Sequence, residues 1–298
     1  MKENIFDQCL EKITDAISIL PDKPEETPLN TLKALYLKAA GIPVSVVKAE
    51  THELPELNEE EINTLYKLID KRLQGVPLAH ITRRQSFMGL EMLAGPQALI
   101  PRKETEILAH SALEILRDLD ADNITVIDVC TGAGNIALSI AGAIENADIY
   151  AADLSEDAVD LARENADLLG LSSQVKFYSG DLLQPFETLD LYAKVHLLSC
   201  NPPYISSSKV QEMPQEISSF EPQLAFDGGS FGINLIRRLI SEADKFLIDG
   251  GYLVFEVGLG QGDVIKKQVE KTGLYSDIRM INDEAGMPRV IIARKALS

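Results

Sequence analysis

From about residue 104 onward, short apolar runs alternate with segments of helical periodicity, and this alternation constrains the fold more than any other feature of the 298-residue chain. Strands are predicted where β-branched and aliphatic residues concentrate, at 125–129, 148–152, 175–179, 195–199 and 252–257. Helices are predicted at 136–144, 156–169, 235–247 and 262–272. Such alternation is typical of βαβ units, which build a parallel sheet covered by helices on both faces. The sequence therefore predicts an α/β fold.

The last two apolar runs, 275–280 and 289–294, depart from that pattern. Only a turn-like stretch around 282–286 separates them, which is too short to cross over to a parallel neighbour. We expect these two strands to be antiparallel. A mostly parallel sheet with a C-terminal antiparallel hairpin differs from a plain dinucleotide-binding fold.

The first 84 residues have helical spacing instead. Candidate helices cover 5–20, 30–40 and the stretch from Asn58 to Leu73, where Asn58 and Glu61 fit a capping box. Apolar pairs split by glycines then suggest a short hairpin. We expect a helical domain at 1–84, a hairpin linker at 85–103 and the α/β domain at 104–298.

Charge is distributed unevenly along the chain, whose net charge is −18. Residues 1–84 hold 11 basic and 14 acidic residues, whereas residues 85–298 hold 17 and 32, a net −15. Such acidity opposes a broad electrostatic grip on nucleic acid. Basic pairs at 71–72, 83–84 and 102–103 gather around the junction of the two parts. They are either solvated turns or a basic seam that faces a partner.

Cysteine and histidine usage indicates neither disulfides nor a metal site. The three cysteines lie far apart without a CxxC spacing, and the four histidines are scattered. No run approaches 18 apolar residues, and the N-terminus has no signal-peptide character. We expect a cytoplasmic protein with no bound metal and no membrane contact.

A glycine loop follows the first strand of the α/β part. Gly132 and Gly134, with Ala137 in the last position, fit the GxGxxG/A spacing of a strand–turn–helix ligand loop. Alone the pattern is weak, because an ordinary tight βα turn can look the same.

Acidic residues at the ends of the next two strands strengthen the case for a nucleoside ligand. Asp153 can accept hydrogen bonds from both ribose hydroxyls, and Asp181 from an adenine amino group, while Leu182 packs beside the ring. NAD is one candidate. Asp128, inside the strand before the loop, is a poor neighbour for a pyrophosphate and suits the cationic end of S-adenosylmethionine better. The sequence favours S-adenosylmethionine.

An Asn-Pro-Pro-Tyr motif, residues 201–204, follows the fourth strand. The Asn201 side-chain oxygen and the Pro202 carbonyl can each accept a hydrogen bond from one NH₂ group, and Tyr204 can stack on a planar amide or ring. Two acceptors would stabilise the positive charge that develops when a poorly nucleophilic nitrogen is methylated. The motif therefore predicts an amide or aromatic amine as methyl acceptor.

With these motifs, the segments 74–82, 99–106, 221–229 and 256–258 resemble the release-factor glutamine methyltransferases, a family of class I S-adenosylmethionine-dependent enzymes. The resemblance implies a Rossmann-like fold and methylation of the side-chain amide nitrogen of the glutamine in the Gly-Gly-Gln loop of peptide chain release factors. It implies that the substrate glutamine is held by Asn201, Pro202, Pro203 and Tyr204, with Asn201, Pro202 and Tyr204 catalytic. It implies that the cofactor is bound by Cys130, Thr131, Gly132, Ala133, Gly134, Asp153, Asp181, Leu182 and Asn201. The helical domain would help to recognise the release factor.

The chain departs from the family pattern at Lys103, where proline is usual, and at Cys130 and Asn135, where glycine and alanine are commoner. Three other functions remain open. The motif is shared with enzymes that methylate exocyclic amines of DNA bases, which need a basic surface and base flipping. A small molecule or another protein could also be the acceptor. A non-catalytic binding module would require a damaged cofactor or acceptor site.

Overall fold

A computed structural model of the protein describes residues 2–229 and 232–297, and its N-terminal part is helical. The helices there are α1 (Lys2–Ala16), α2 (Pro28–Ala39), α3 (Val46–Thr51), α4 (Glu59–Leu73) and α5 (Leu78–Thr82). The capping box of α4 is present: the Asn58 side chain accepts from the Glu61 amide at 3.0 Å, and the Glu61 carboxylate accepts from the Asn58 amide at 2.8 Å. Helices α3 and α5 were not predicted from the sequence.

Helix α1 ends at Ala16, four residues before the predicted end at 20. The intervening residues include two isoleucines and precede Pro21, and both features disfavour helical backbone. The N-terminal helices share an apolar core of their own, in which Ile13, Leu35 and Leu65 are fully buried. A two-stranded hairpin follows as expected, with β1 (Gln85–Phe87) antiparallel to β2 (Leu90–Met92). The division of the chain into domains at residues 84 and 103 stays a prediction.

The remainder of the chain alternates between strands and helices. Its elements are α6 (Glu106–Arg117), β3 (Ile124–Val129), α7 (Asn135–Ala143), β4 (Ala147–Asp153), α8 (Glu156–Leu169), β5 (Val175–Ser179), β6 (Val195–Cys200), α9 (Ser207–Val210), α10 (Gln215–Phe220), α11 (Asn234–Ala243), β7 (Leu247–Glu256), α12 (Gly262–Thr272), β8 (Tyr275–Asn282) and β9 (Pro288–Lys295). The predicted helix 235–247 is wrong at its end, because Leu247 already pairs with Val195 as the first residue of a strand. Helix α6 was not predicted.

Seven strands form one sheet in the order β5-β4-β3-β6-β7-β9-β8. The first five are parallel, and β9 is antiparallel to both β7 and β8, between which it lies. One apolar core packs α6 and α7 against one face, and a second packs α11 and α12 against the other. The predicted fold class is confirmed.

The strand order reverses beside β3, whose neighbours are β4 and the later β6. In open α/β sheets ligands bind at the carboxyl ends of the strands at such a reversal. Among the described residues, no helix combines the length and apolar character needed to cross a bilayer.

Candidate active site

The glycine loop turns sharply between β3 and α7. Cys130, Gly132 and Gly134 all have positive φ, at 57°, 55° and 83°. A Cβ on Gly134 would lie 3.1 Å from the side chain of Ala162 on α8, so both the left-handed backbone and the tight packing favour glycine there. Cys130 carries a side chain in the same left-handed region, which gives a physical reason for the commoner glycine at its position.

Asp128 anchors this loop from within the sheet. Its carboxylate accepts hydrogen bonds from the hydroxyls of Thr131 at 2.6 Å and Ser199 at 2.7 Å, and the residue is fully buried. Burial raises its pKa to about 6, against the opposing effect of the two hydroxyls. Both oxygens of Asp128 are engaged behind the loop, and the residue does not line the cavity described below. It holds the loop in place rather than facing the cationic end of the cofactor.

Asp153 ends β4 beside the loop. Its two carboxylate oxygens accept from the Gly132 amide and from the Ser155 amide, each at 2.9 Å. A carboxylate has about four lone-pair sites, so acceptor capacity remains for ribose hydroxyls. Asp181 is half-exposed and forms an ion pair with Arg238 at 3.1 Å, while the neighbouring Leu182 is buried.

The Asn-Pro-Pro-Tyr segment lies at the carboxyl end of β6, next to β3. The Asn201 amide nitrogen donates to the Thr105 hydroxyl at 3.1 Å, and Thr105 donates to the Glu256 carboxylate at 2.8 Å. The Tyr204 hydroxyl donates to the other oxygen of Glu256 at 2.9 Å. Gly258 leaves room for the Tyr204 ring, since a Cβ there would lie 2.9 Å from the ring carbon Cδ2.

Glu256 lies at the end of β7 and is 1% exposed. Burial raises its pKa to about 7, although the hydrogen bonds from Thr105 and Tyr204 and the nearby Arg289 lower it. The Arg289 guanidinium lies 3.7 Å from Glu256 and 3.3 Å from Glu104. The acceptor segment therefore rests on a buried acid that titrates near neutral pH.

The glycine loop, the strand-end acids and the acceptor segment surround a single cavity of about 400 Å³. Eight of the predicted site residues line it: Cys130, Thr131, Gly132, Asp153, Asp181, Leu182, Asn201 and Pro203. The other four, Ala133, Gly134, Pro202 and Tyr204, do not line it. The roles predicted for all twelve residues stay predictions.

One side of the cavity is held by ion pairs that join four segments of the chain. We call this set the ionic junction; it is formed by Asp22, Lys23, Glu26, Arg72, Arg102, Glu216 and Glu221. Glu216 on α10 binds both Lys23 and Arg72 at 2.7 Å. Arg102, which lines the cavity, binds Glu221. Arg72 and Arg102 are 5% and 8% exposed. These two members of the predicted basic seam thus face carboxylates of the same chain and not a partner.

The pKa values of Glu216 and Glu26, two acids of the ionic junction, are shifted in opposite directions. Burial would raise the pKa of Glu216, but Lys23 and Arg72 outweigh it and hold that pKa below its ordinary value. At Glu26 burial dominates and raises the pKa, and the neighbouring carboxylates of Glu216 and Glu25 raise it further against the opposing effect of Lys23 and Arg72.

Sequence reasoning assigned no role to several residues of this site. Thr105, Glu221 and Glu256 fall in segments that carried the family resemblance, and this was their only signal. Arg238 lies in a helix whose periodicity predicted packing alone.

The residues that line the cavity fit S-adenosylmethionine, because the half-buried Asp153, with spare acceptor capacity, lies beside a tight glycine turn and an apolar wall. Residues 120–273 match the family model for a methyltransferase domain. The fold is that of a methyltransferase from Pyrococcus furiosus, with a TM-score of 0.50 and 18% identity over 71% of this chain and 92% of that one. It is also that of the human methyltransferase 10 domain containing protein, with a TM-score of 0.50 and 16% identity over 69% and 88%. The fold and site define a class I S-adenosylmethionine-dependent methyltransferase.

Curated relatives identify the family within this class of methyltransferases. The chain is 37% identical over 238 residues to the release factor glutamine methyltransferase of Moorella thermoacetica, covering 80% of this chain and 82% of that protein. It is 32% identical over 279 residues to the enzyme of the same name from Rhodopirellula baltica, covering 92% of each. The chain belongs to the release factor glutamine methyltransferase family.

Proposed function

We propose that this protein transfers a methyl group from S-adenosylmethionine to the side-chain amide nitrogen of the glutamine in the Gly-Gly-Gln loop of a peptide chain release factor. The observation that carries the proposal is the family relation, since relatives matched over four-fifths of their length bear the name of this reaction. The acceptor segment supports it, because an asparagine amide beside a rigid Pro-Pro turn suits an amide substrate.

The reaction forms one N–C bond and breaks one S–C bond, and the amide nitrogen then loses a proton to water. Bound S-adenosylmethionine supplies the electrophilic methyl group. The Asn201 side-chain oxygen and the Pro202 carbonyl accept hydrogen bonds from the substrate NH₂ and stabilise its developing positive charge. Holding the nitrogen in line with the methyl group lowers the barrier further. Tyr204 and Pro203 confine the plane of the amide.

The cofactor is proposed to lie along the strand ends. Asp153 would accept from the ribose hydroxyls, and Asp181 from the adenine amino group while it is paired with Arg238. Leu182 would pack against the ring, and the loop at 130–134 would hold the amino-acid end.

The N-terminal helices are proposed to recognise the release factor, and the linker to connect them to the catalytic part, with the division at residues 84 and 103. Such a partner places the protein in the cytoplasm. The net −15 of residues 85–298 supports a protein rather than a nucleic acid as substrate.

The test supplies labelled S-adenosylmethionine with a release factor, beside the same factor with its loop glutamine changed to alanine. We expect label in the first factor only. Label in both, or in neither while a small amine or a base in DNA is methylated, would contradict the proposal. As a control, Asn201→Ala should abolish turnover while retaining cofactor binding, measured by calorimetry; normal turnover by this variant would contradict the acceptor role of Asn201.

A further inference from the structure

We propose that Thr105 and Glu256 are positioning residues that fix which end of the Asn201 side-chain amide faces the methyl acceptor. The inference deepens the proposed function and rests on it for the identity of the acceptor. It concerns a chain of hydrogen bonds that runs from β7 to the acceptor segment.

An asparagine amide can be turned by 180° with little change of shape, and the two orientations are chemically opposite. With its oxygen toward the cavity, Asn201 accepts a hydrogen bond from the substrate NH₂. With its nitrogen toward the cavity, it can only donate, and it would repel that NH₂ group. Catalysis by the acceptor segment therefore requires one orientation to be enforced.

Thr105 enforces it because a hydroxyl carries only one hydrogen. That hydrogen is directed to the Glu256 carboxylate at 2.8 Å, and an ionised carboxylate accepts only. The Thr105 oxygen is thereby left as an acceptor toward Asn201, 3.1 Å away, and it selects the amide nitrogen. The Asn201 oxygen is turned to the cavity side. Thr105 is 2% exposed, so bulk water does not compete for these bonds.

The same carboxylate fixes the second member of the segment. Its other oxygen accepts from the Tyr204 hydroxyl at 2.9 Å, so a single acid orients both Asn201 and Tyr204. Neither Thr105 nor Glu256 needs to contact the reacting atoms. We call the hydrogen-bond chain Glu256–Thr105–Asn201 the polarity relay. Because the ionised Glu256 can only accept, it determines which atom of the Asn201 amide faces Thr105 and which faces the cavity.

Protonation of Glu256 would reverse the relay. With a pKa of about 7, the acid gains a hydrogen in mildly acidic solution and can then donate to Thr105. The groups that face Glu256 are Thr105, Tyr204, Arg289 and, through Arg289, Glu104. Of these groups, Glu256 is the one that contacts both hydroxyls, so its protonation sets the polarity of the relay.

The first experiment compares Thr105→Val with Thr105→Ser, with Thr31→Val as a matched loss of a buried hydroxyl in the N-terminal helices. We expect Thr105→Val to lower kcat by about 10- to 100-fold, with the Kd for S-adenosylmethionine unchanged. Thr105→Ser keeps the hydroxyl and should retain kcat within about threefold, as should Thr31→Val. Equal losses in the valine and serine variants, or a normal kcat in Thr105→Val, would overturn the inference.

The second experiment uses Glu256→Gln, which has nearly the same shape but can donate toward Thr105. We expect a loss of kcat similar to that of Thr105→Val, and no further loss in the double variant, because both changes break one relay. The wild-type kcat should fall as the pH drops below about 7, and this limb should be absent in Glu256→Gln. Additive losses, or an unchanged limb, would overturn the inference.

Different results contradict the proposed function and the positioning role of Thr105 and Glu256. A wild-type enzyme that does not methylate the release factor contradicts the proposed function and this inference with it. A wild-type enzyme that does so, with an unimpaired Thr105→Val, contradicts this inference alone.

Discussion

Glu216 of the ionic junction and the two sheet carboxylates, Asp128 and Glu256, are buried among different partners. In the ionic junction, Glu216 forms ion pairs with Lys23 and Arg72. Asp128 and Glu256 each accept hydrogen bonds from two hydroxyl groups. Pairing lowers the pKa of Glu216, whereas burial raises that of Asp128 to about 6 and that of Glu256 to about 7.

The difference follows from what each region must do. The ionic junction joins segments more than a hundred residues apart, and a buried ion pair that loses one partner leaves an uncompensated charge, so mismatched pairings are strongly disfavoured. Asp128 and Glu256 instead orient hydroxyls: Asp128 thereby holds the glycine loop, and Glu256 the Asn201 amide. A carboxylate that accepts hydrogen bonds in fixed directions orients its neighbours better than a carboxylate that is paired with a cation.

The largest expected effect comes from breaking the ionic junction. Glu216→Ala leaves Lys23 and Arg72 buried without their closest acid, and we expect the free energy of unfolding to fall by about 3–5 kcal/mol. Urea denaturation measures the change. Glu212→Ala, an exposed acid in the same segment, is the matched control and should change stability by less than about 0.5 kcal/mol. A loss below about 1 kcal/mol for Glu216→Ala would show that these charges are solvated.

The pH dependence of stability should have opposite signs for Glu256 and for Glu216. Glu256 binds its proton more tightly when folded, so the stability of the wild type relative to Glu256→Gln should decline as the pH rises from about 4.5 to about 7, by at most about 1.4 kcal/mol per pH unit. Glu216 has a lowered pKa, so the advantage of the wild type over Glu216→Gln should be complete above pH 4.5 and lost in more acidic solution. Urea titrations from about pH 3 to about pH 8 cover both transitions. If the stability difference between the wild type and each variant changed with pH in the same direction, Glu256 and Glu216 would not differ as proposed.

The smallest effect is expected for an exposed ion pair, which serves as a reference for the buried pairs of Glu216. Lys12 on α1 binds Asp70 on α4 at 2.8 Å, with side chains 51% and 57% exposed. Because water already solvates both groups, Lys12→Ala should change the free energy of unfolding by less than about 1 kcal/mol. The same denaturation assay at low and high salt measures it. A loss comparable to that of Glu216→Ala would mean that the contribution of an ion pair to stability does not depend on its burial.

Sequence patterns predicted those parts of the molecule whose determinants are local. The strands β4 and β6 are recognisable because buried strands are continuous apolar runs, and the glycine loop because its turn demands Gly132 and Gly134. Because Asp153, Asp181 and the acceptor segment each follow a strand of the predicted parallel sheet, the sequence also placed them at one edge of the sheet. The resemblance to a family then indicated the acceptor.

Other parts depend on contacts that no local pattern records. Thr105 and Glu256 are 151 residues apart and become partners only in the folded sheet. The short helices α9 and α10 have too few turns for a periodic signal, and α10 is held by ion pairs to Lys23 and Arg72. The basic pairs at 71–72 and 102–103 looked like surface charge because sequence gives no indication of a buried counterion.

The position of β9 between β7 and β8 has a consequence for synthesis. During translation β7 emerges first and β8 next, yet β8 has no place in the sheet until β9 has been made. A nascent chain therefore carries an open sheet edge on β7 through the time in which the whole hairpin is produced, and open edges are sites of unwanted pairing. The cofactor cleft beside β3 is formed by strands made earlier, so the catalytic pocket can be outlined on the ribosome before the sheet beyond β7 is completed.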